Sequence, residues 1–194
     1  ALLPMLHLVQ SVDGRVSPRG IEACAEILGI TTAQVSGVAT FYTMYRRRPA
    51  GEHHVGVCTT ALCAVMGGDA LLEKVSEKLG IEPDETTPDG KFSLERLECN
   101  AACDFAPVMM VNWEFMDNMD PDKAEHLLED LAAGKEVKAS RGATLTSWRE
   151  AERVFYEAFM AQHLQRLQPM AGALPMLQRL AGDGIQLAVV SNKK

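Results

Sequence analysis

The sequence predicts an α/β (α+β) protein in which a small bundle of helices precedes a sheet covered by helices. Two observations lead to this prediction. Apolar residues recur at helical spacing through the first 45 residues, and capping residues stand before the predicted helices. From Val55 onward the pattern becomes strand, helix, strand, strand, helix, which is typical of helices layered on a small sheet.

Composition limits the classes of function. The chain has 194 residues, of which 47% are hydrophobic, so it can bury a substantial core. No apolar run approaches the roughly 18 residues of a membrane span. The net charge of −7 argues against nucleic-acid binding, which needs clustered Lys and Arg. We therefore expect a soluble chain that meets a membrane only through partners.

Local signals define the first helices. Ser17 is a predicted N-cap with Pro18 after it, and Gly29 is the predicted end of that helix. Cys24 falls at helical spacing among apolar residues, which indicates a buried side chain. Thr31 and Gln34 form a predicted capping box for the next helix.

A charged segment, residues 46–51, interrupts the helical pattern with three arginines, a proline and a glycine. A solvated loop is the simpler interpretation. A docking surface for an acidic partner is the alternative.

The second half of the pattern predicts a sheet and two long helices. Strands are expected at 55–57, 92–94 and 108–111. One helix begins at Gly67-Gly68 and ends at Gly80, and another begins after Asp120 and ends at Gly134. Gly67-Gly68 is too short a signal for a phosphate-binding loop.

Four of the five cysteines form two close pairs, Cys58 with Cys63 and Cys99 with Cys103. Each pair can converge only if the chain between its members curls, and the fold must then bring the pairs together. A disulfide framework, a structural zinc site, a [2Fe–2S] cluster and unpaired buried thiols are the alternatives. The wide spacings favour the [2Fe–2S] cluster, and they are loose for zinc.

Several motifs match one family. From about Leu2 to about Arg153, the chain resembles the E subunits of bacterial NADH-quinone oxidoreductases (respiratory complex I), which form a thioredoxin-like [2Fe–2S] family. The motifs that carry the resemblance are Gly37-Val38-Ala39-Thr40-Phe41-Tyr42-Thr43-Met44, Pro49-Ala50-Gly51, Val57-Cys58-Thr59-Thr60-Ala61-Leu62-Cys63, and the run from Glu98 to Asn112 that contains Cys99 and Cys103.

The resemblance implies a function and a set of site residues. One [2Fe–2S] cluster would be bound through its iron atoms by Cys58, Cys63, Cys99 and Cys103. No catalytic acid or base is expected. The cluster would exchange electrons with the flavin of a partner subunit that also binds NADH, within the peripheral arm of the complex. That arm lies on the cytoplasmic face of the bacterial inner membrane. The corresponding subunit of an NAD-linked hydrogenase or formate dehydrogenase is the nearest alternative, and a structural zinc or interaction module is the alternative of another class.

The second cysteine pair carries three finer expectations. The family commonly has Leu-Gly-Ala between these cysteines where this chain has Asn100-Ala101-Ala102, which argues against a left-handed backbone at Ala101. Pro107 stands where a cis-proline is expected. Glu98 and Asp104 flank the pair, and their charges predict a low reduction potential.

The last forty residues have a different character. The run from Gly172 through Ser191-Asn192-Lys193 resembles a fragment of a haloacid dehalogenase (HAD)-type phosphatase, of the phosphoglycolate phosphatase kind. The nucleophilic Asp motif of that family is missing, so phosphatase activity is not expected, and the segment is predicted to be poorly ordered or only loosely docked. The predicted domains are a helical bundle at 1–50, a thioredoxin-like [2Fe–2S] domain at 51–145, and a tail at 146–194 that becomes HAD-like from about 154.

Overall fold

The computed structural model describes residues 2–166 and Arg179. Its first compact unit spans Ala1–Glu157. No described helix is long and apolar enough to cross a membrane. The elements, in chain order, are α1 (Leu2–Asp13), α2 (Pro18–Leu28), α3 (Thr32–Phe41), β1 (His53–Cys58), α4 (Ala61–Val65), α5 (Gly68–Leu79), β2 (Phe92–Leu97), β3 (Met109–Val111), β4 (Glu114–Met116), α6 (Pro121–Ala132) and α7 (Trp148–Arg166).

The caps of the N-terminal helices confirm the local predictions. The Ser17 hydroxyl accepts a hydrogen bond from the Gly20 N–H, and Gly29 ends α2 with a left-handed backbone, at a φ of 65°. Thr31 and Gln34 exchange both hydrogen bonds of a capping box at the start of α3. These contacts lie within a few residues of each other, which is why the sequence alone locates them.

The three helices enclose a hydrophobic cluster of their own. Its buried members include Leu6 of α1, Cys24 of α2 and Val35 of α3, together with Tyr45 beyond α3. Cys24 is therefore a core residue of the bundle, as predicted. The hydroxyl of Tyr45 donates to the backbone carbonyl of Leu3 and joins the end of the bundle to its beginning.

The four strands form one mixed sheet in the order β2-β1-β3-β4. The pairing of β1 with β2 is parallel, and the other two pairings are antiparallel. All six residues of β1 are buried, and because successive side chains point to opposite faces, both faces of the sheet are covered at this strand. A second hydrophobic cluster, which includes Val57, Leu71, Leu94 and Leu128, lies between this sheet and the helices α5 and α6.

Two short elements were not predicted. α4 has five residues, too few to show a helical period, and β4 lacks the continuous apolar run that predicts β3. β4 exists because Asn112 and Trp113 turn the chain back on β3, both at positive φ. Asn112 holds this turn with its side chain, whose amide donates to the carbonyl oxygens of Glu52 and Thr146.

The segment at residues 46–51 differs from a simple solvated loop. The Arg46 guanidinium lies 2.9 Å from the Glu95 carboxylate, and the Arg46 side chain is largely buried. Arg47 and Arg48 are exposed, and neither forms an ion pair within the described part of the chain. The pairing of Arg46 joins residues 49 positions apart, so the local charge pattern could not reveal it.

The region after the sheet contains an unpredicted helix, α7, which covers the point where the family resemblance fades. The predicted HAD-like run from Gly172 to Lys193 lies outside the described residues, Arg179 apart, and stays a prediction. The predicted domain boundaries at 50/51 and 145/146 also stay predictions.

Candidate metal centre

The first cysteine pair lies where β1 passes into α4. Cys58 is the last residue of β1, and Cys63 lies within α4; both side chains are buried. Thr60 is the N-cap position of α4, and its carbonyl accepts a hydrogen bond from the Cys63 N–H at 2.9 Å. The curl that the sequence requires between these two thiols is thus a helical turn.

The second pair lies in the loop after β2. Cys99 follows the strand by two residues, and Cys103 begins a 3₁₀ turn. Their sulfur atoms are 3.7 Å apart. Two thiolates on one tetrahedral metal, with metal–sulfur bonds of about 2.3 Å as for zinc, are separated by roughly 3.8 Å. The pair therefore has the spacing of two ligands to one metal.

Ala101 corrects one expectation. Its φ is 54°, so the left-handed backbone that the sequence argued against is present. The Ala101 N–H donates to the Cys99 sulfur at 3.4 Å, and this contact accompanies the turn. A non-glycine residue adopts this conformation at a cost of roughly 1–2 kcal/mol, so the tight loop outweighs the backbone preference.

The fold brings the two pairs to one pocket. Parallel pairing places Cys58 opposite Leu97, so the loop that follows β2 returns beside the end of β1. The pocket is lined by seven residues, namely Cys58, Cys63, Cys99, Asn100, Ala102, Cys103 and Val108. All four cysteines singled out from the sequence therefore meet here, whereas Cys24 lies in the bundle.

The arrangement of the four sulfurs suits a two-iron centre. In residues 2–166, no group of three or more His, Cys, Asp and Glu side chains gathers as a site for a single metal ion. Four thiols line one pocket, and a [2Fe–2S] cluster takes four protein ligands, two at each iron. The donor set thus fits that cofactor.

Hydrogen bonds and charge set the protonation of the thiols. Burial opposes ionisation of Cys58, but hydrogen bonds from Thr60, Cys63 and the Asn100 N–H outweigh it and lower the Cys58 pKa. Burial raises the pKa of Cys63, although the Val108 N–H donates to its sulfur. The Thr60 hydroxyl lies 3.4 Å from the Cys58 sulfur, a role that no prediction from the sequence gave it.

Negative charge acts on Cys103 in the second pair. A hydrogen bond and repulsion from Cys99 raise the pKa of Cys103, and the Asp104 carboxylate adds to that effect. Asp104 and Glu98 are both exposed. The carboxylate that follows Cys103 is therefore close enough to disfavour additional negative charge at its sulfur.

Gly68 packs closely against the backbone of the first cysteine pair. A side chain at this position would place a Cβ 2.6 Å from the carbonyl oxygen of Cys58 and 2.8 Å from that of Cys63. Only glycine allows α5 to begin so close to both backbones. The sequence predicted a helix start at Gly67-Gly68, but this close packing depends on chain segments that meet only in the fold.

The loop that contains Cys103 is also supported by residues that are distant in the sequence. The Arg141 guanidinium lies over the rings of Phe105 and Phe115, 4.7 and 4.3 Å from their centroids, and pairs with Asp117 at 2.7 Å. The Ala106–Pro107 peptide bond is cis, as predicted. These contacts hold the 3₁₀ turn of Cys103 against β4, and no local motif around Arg141 could have indicated them.

The comparisons with known proteins agree with this site. The family of thioredoxin-like [2Fe–2S] ferredoxins matches residues 1–132. The NADH-quinone oxidoreductase E subunit of Mycobacterium tuberculosis (strain H37Rv) is 55% identical over 154 residues, which are 79% of this chain and 61% of the relative. NADH-quinone oxidoreductase subunit 2 of Thermus thermophilus is 40% identical over 139 residues, 71% of this chain and 77% of the relative. The chain thus spans about three fifths of the mycobacterial relative's length.

A solved structure shares the fold. An NAD+-reducing [NiFe]-hydrogenase in the air-oxidized state matches with a TM-score of 0.62 at 20% identity, over 69% of this chain and 23% of that one. This similarity concerns the fold. The family match confirms the predicted thioredoxin-like fold and the predicted [2Fe–2S] cofactor class. The chain belongs to the thioredoxin-like [2Fe–2S] ferredoxin family.

Proposed function

We propose that this chain is the [2Fe–2S] electron-transfer subunit of an NADH:quinone oxidoreductase, and that Cys58, Cys63, Cys99 and Cys103 are the ligands of its one cluster. The observation that carries the proposal is the single pocket lined by these four thiols. The relatives support the choice of complex, since they are NADH-quinone oxidoreductase subunits.

At such a site the protein chain binds the cluster and sets its reduction potential. When bound, the cluster takes up and releases single electrons. The chain supplies four thiolates, and it donates hydrogen bonds to their sulfurs from Thr60, Ala101 and the backbone of Asn100 and Val108. Such donors offset the negative charge on sulfur and set the reduction potential. No side chain needs to act as an acid or a base.

We also propose that the immediate partner is the subunit that binds NADH and flavin, within an assembly on the cytoplasmic face of the membrane. Exposed apolar side chains beside the cysteines support a partner surface here. Leu62 and Val65 on α4 are 44% and 83% exposed, and Met66, just after α4, is 56% exposed. Phe105, two residues after Cys103, is exposed as well. An exposed apolar patch of this kind next to a redox site is typical of a docking surface.

The ligand assignment is tested by replacing each of the four cysteines with serine in turn. Each variant is expected to lose most of its iron and labile sulfide, or to change the electron paramagnetic resonance (EPR) spectrum of the reduced protein. Cys24→Ser is the matched control, because Cys24 is as buried as Cys58 and Cys63 but lies in the bundle core. Full cluster content with an unchanged spectrum in any of the four site variants would remove that cysteine from the set.

The partner assignment is tested on the native complex. NADH is expected to reduce the cluster when this chain is assembled with a flavin-containing subunit, and to leave the isolated chain oxidised. Isolation of the chain with a hydrogenase that reduces NAD+ would assign it to the alternative complex. Reduction of the isolated chain by NADH would contradict the assignment of flavin to a partner.

A further inference from the structure

We propose that the side-chain amide of Asn100 donates a hydrogen bond from Nδ2 to a sulfur of the [2Fe–2S] centre, and that this bond raises the reduction potential of the centre. The inference rests on the proposed function. It assigns to Asn100 a tuning role at the same site.

The first observation is an unused donor. Asn100 Nδ2 is buried and has no hydrogen-bond partner among the described residues. A buried amide nitrogen without a partner is costly, and native proteins rarely leave one unpaired. Its position therefore indicates an acceptor that is present in the functional protein.

The second observation is where this donor lies. Of the seven residues that line the pocket, four are cysteines, Ala102 and Val108 are apolar, and Asn100 has the one polar side chain that is not a thiol. The acceptors that this pocket offers from side chains are thus sulfur atoms. A bound cluster adds two bridging sulfides to them.

The backbone fixes Asn100 in place. Its N–H donates to the Cys58 sulfur, and the next N–H, that of Ala101, donates to the Cys99 sulfur. Asn100 is therefore held between the two cysteine pairs by its main chain. An amide presents two donors at nitrogen and only lone pairs at oxygen, so towards negatively charged sulfur the nitrogen is the attractive end.

The hydrogen bond from Asn100 affects the reduction potential through the charge of the centre. Adding an electron makes the centre more negative, and a hydrogen bond to its sulfur stabilises the more negative state more strongly. Asn100 thus opposes the effect of the nearby Asp104 carboxylate. The two residues lie on either side of Cys103 within the same loop and shift the potential in opposite directions.

The test is a series at one position in the full-length protein. Asn100→Leu keeps the approximate volume and removes the donor, and Asn100→Asp keeps the shape and presents carboxylate oxygen instead. Midpoint potentials are measured by EPR-monitored titration at pH 8. The expected order is Asn highest, then Leu, then Asp. The expected loss in Asn100→Leu is about fivefold in the reduction equilibrium, or roughly 40 mV at 59 mV per tenfold.

A second readout separates tuning from a merely structural role. Pulsed EPR of the reduced protein in D₂O detects exchangeable deuterons close to the cluster, and Asn100→Leu is expected to lose one such coupling while iron and sulfide content stays unchanged. A cluster-containing Asn100→Leu protein with the wild-type potential and the wild-type deuterium couplings would overturn the inference and leave the proposed function intact. Absence of a cluster from the wild-type protein would overturn both.

Discussion

The carboxylate of Glu152 lies 3.0 Å from Nδ1 of His7, a contact between residues 145 positions apart. Its other oxygen accepts a hydrogen bond from the indole N–H of Trp113 at 2.7 Å. Glu152 is fully buried. One side chain of α7 thus joins the first helix of the bundle to the turn between β3 and β4.

We expect Glu152→Gln to lower the free energy of unfolding by about 1–2 kcal/mol, because hydrogen bonds to a charged group are stronger than those to a neutral one. Urea unfolding measures this change. Glu150→Gln is the matched control, since Glu150 lies two residues away on α7 and contacts the exposed Arg153. Equal stability of the two variants would show that the buried contact contributes nothing.

Gly68→Ala is expected to disturb the first cysteine pair, because the added methyl group meets the carbonyl oxygens of Cys58 and Cys63 at less than 3 Å. Overpacking of this kind costs about 1–3 kcal/mol, and iron content should fall with stability. Gly37→Ala is the control. Gly37 lies in α3 with open space around its Cα, so alanine there should add roughly 0.5–1 kcal/mol. A Gly68→Ala protein with full iron content and wild-type stability would contradict the close packing.

Acid is expected to destabilise the protein through His54 and Glu95, whose side chains are 2.7 Å apart. Burial lowers the pKa of His54 below its usual value of 6.5, so its stabilising effect is lost as the pH falls below 6.5. Burial works against ionised Glu95, but hydrogen bonds and charge from His54 and Arg46 lower its pKa below 4.5. The stability that Glu95 contributes is present above pH 4.5 and is lost as the pH falls through its lowered pKa.

The measurement is the free energy of unfolding between pH 8 and pH 4. We expect it to fall with pH below about 6.5, and each proton taken up on unfolding adds at most about 1.4 kcal/mol per pH unit to the slope. His53 contributes in the same direction, because burial lowers its pKa as well. His54→Gln should flatten the slope between pH 6.5 and 5, whereas His126→Gln, at an exposed position, should not. An identical slope in His54→Gln would exclude His54 as the source.

Asp104→Asn is expected to raise the midpoint potential of the cluster by an amount on the order of tens of mV, because it removes a negative charge that acts on Cys103. EPR-monitored redox titration measures the shift, which should shrink at high salt since Asp104 is exposed. Asp130→Asn, which removes an equal charge where Asp130 pairs with Lys135 near the end of α6, should leave the potential unchanged. A wild-type midpoint in Asp104→Asn would show that its carboxylate has no influence.

Local chemistry explains which parts of the fold could be predicted. The caps at Ser17, Thr31 and Asp120 act within three residues, so the sequence locates the helices that they begin. The strand that ends at Cys58 has a local apolar pattern and was predicted as well. α4 was missed because five residues are too few to show a helical period. β4 was missed because its two apolar residues do not form a continuous apolar run like the one that predicts β3.

The features of the candidate site also fall into those that the sequence predicts and those that depend on the fold. The spacing of the cysteines indicated a four-sulfur site, and the family resemblance selected the cofactor. The supporting contacts of Gly68 and Arg141 could not be predicted, since each joins segments that only the fold brings together. Ala101 was misjudged because a backbone preference of a kilocalorie or two is smaller than what a tight loop can impose.

The central claim is that the pocket of Cys58, Cys63, Cys99 and Cys103 holds one [2Fe–2S] cluster. Its most direct test is the iron and acid-labile sulfide content of the purified wild-type protein, with an EPR spectrum recorded after reduction by dithionite. We expect a reddish protein with two irons and two sulfides per chain, and a spin-½ signal on reduction. A colourless protein that contains one zinc, or free thiols with neither iron nor sulfide, would contradict the claim.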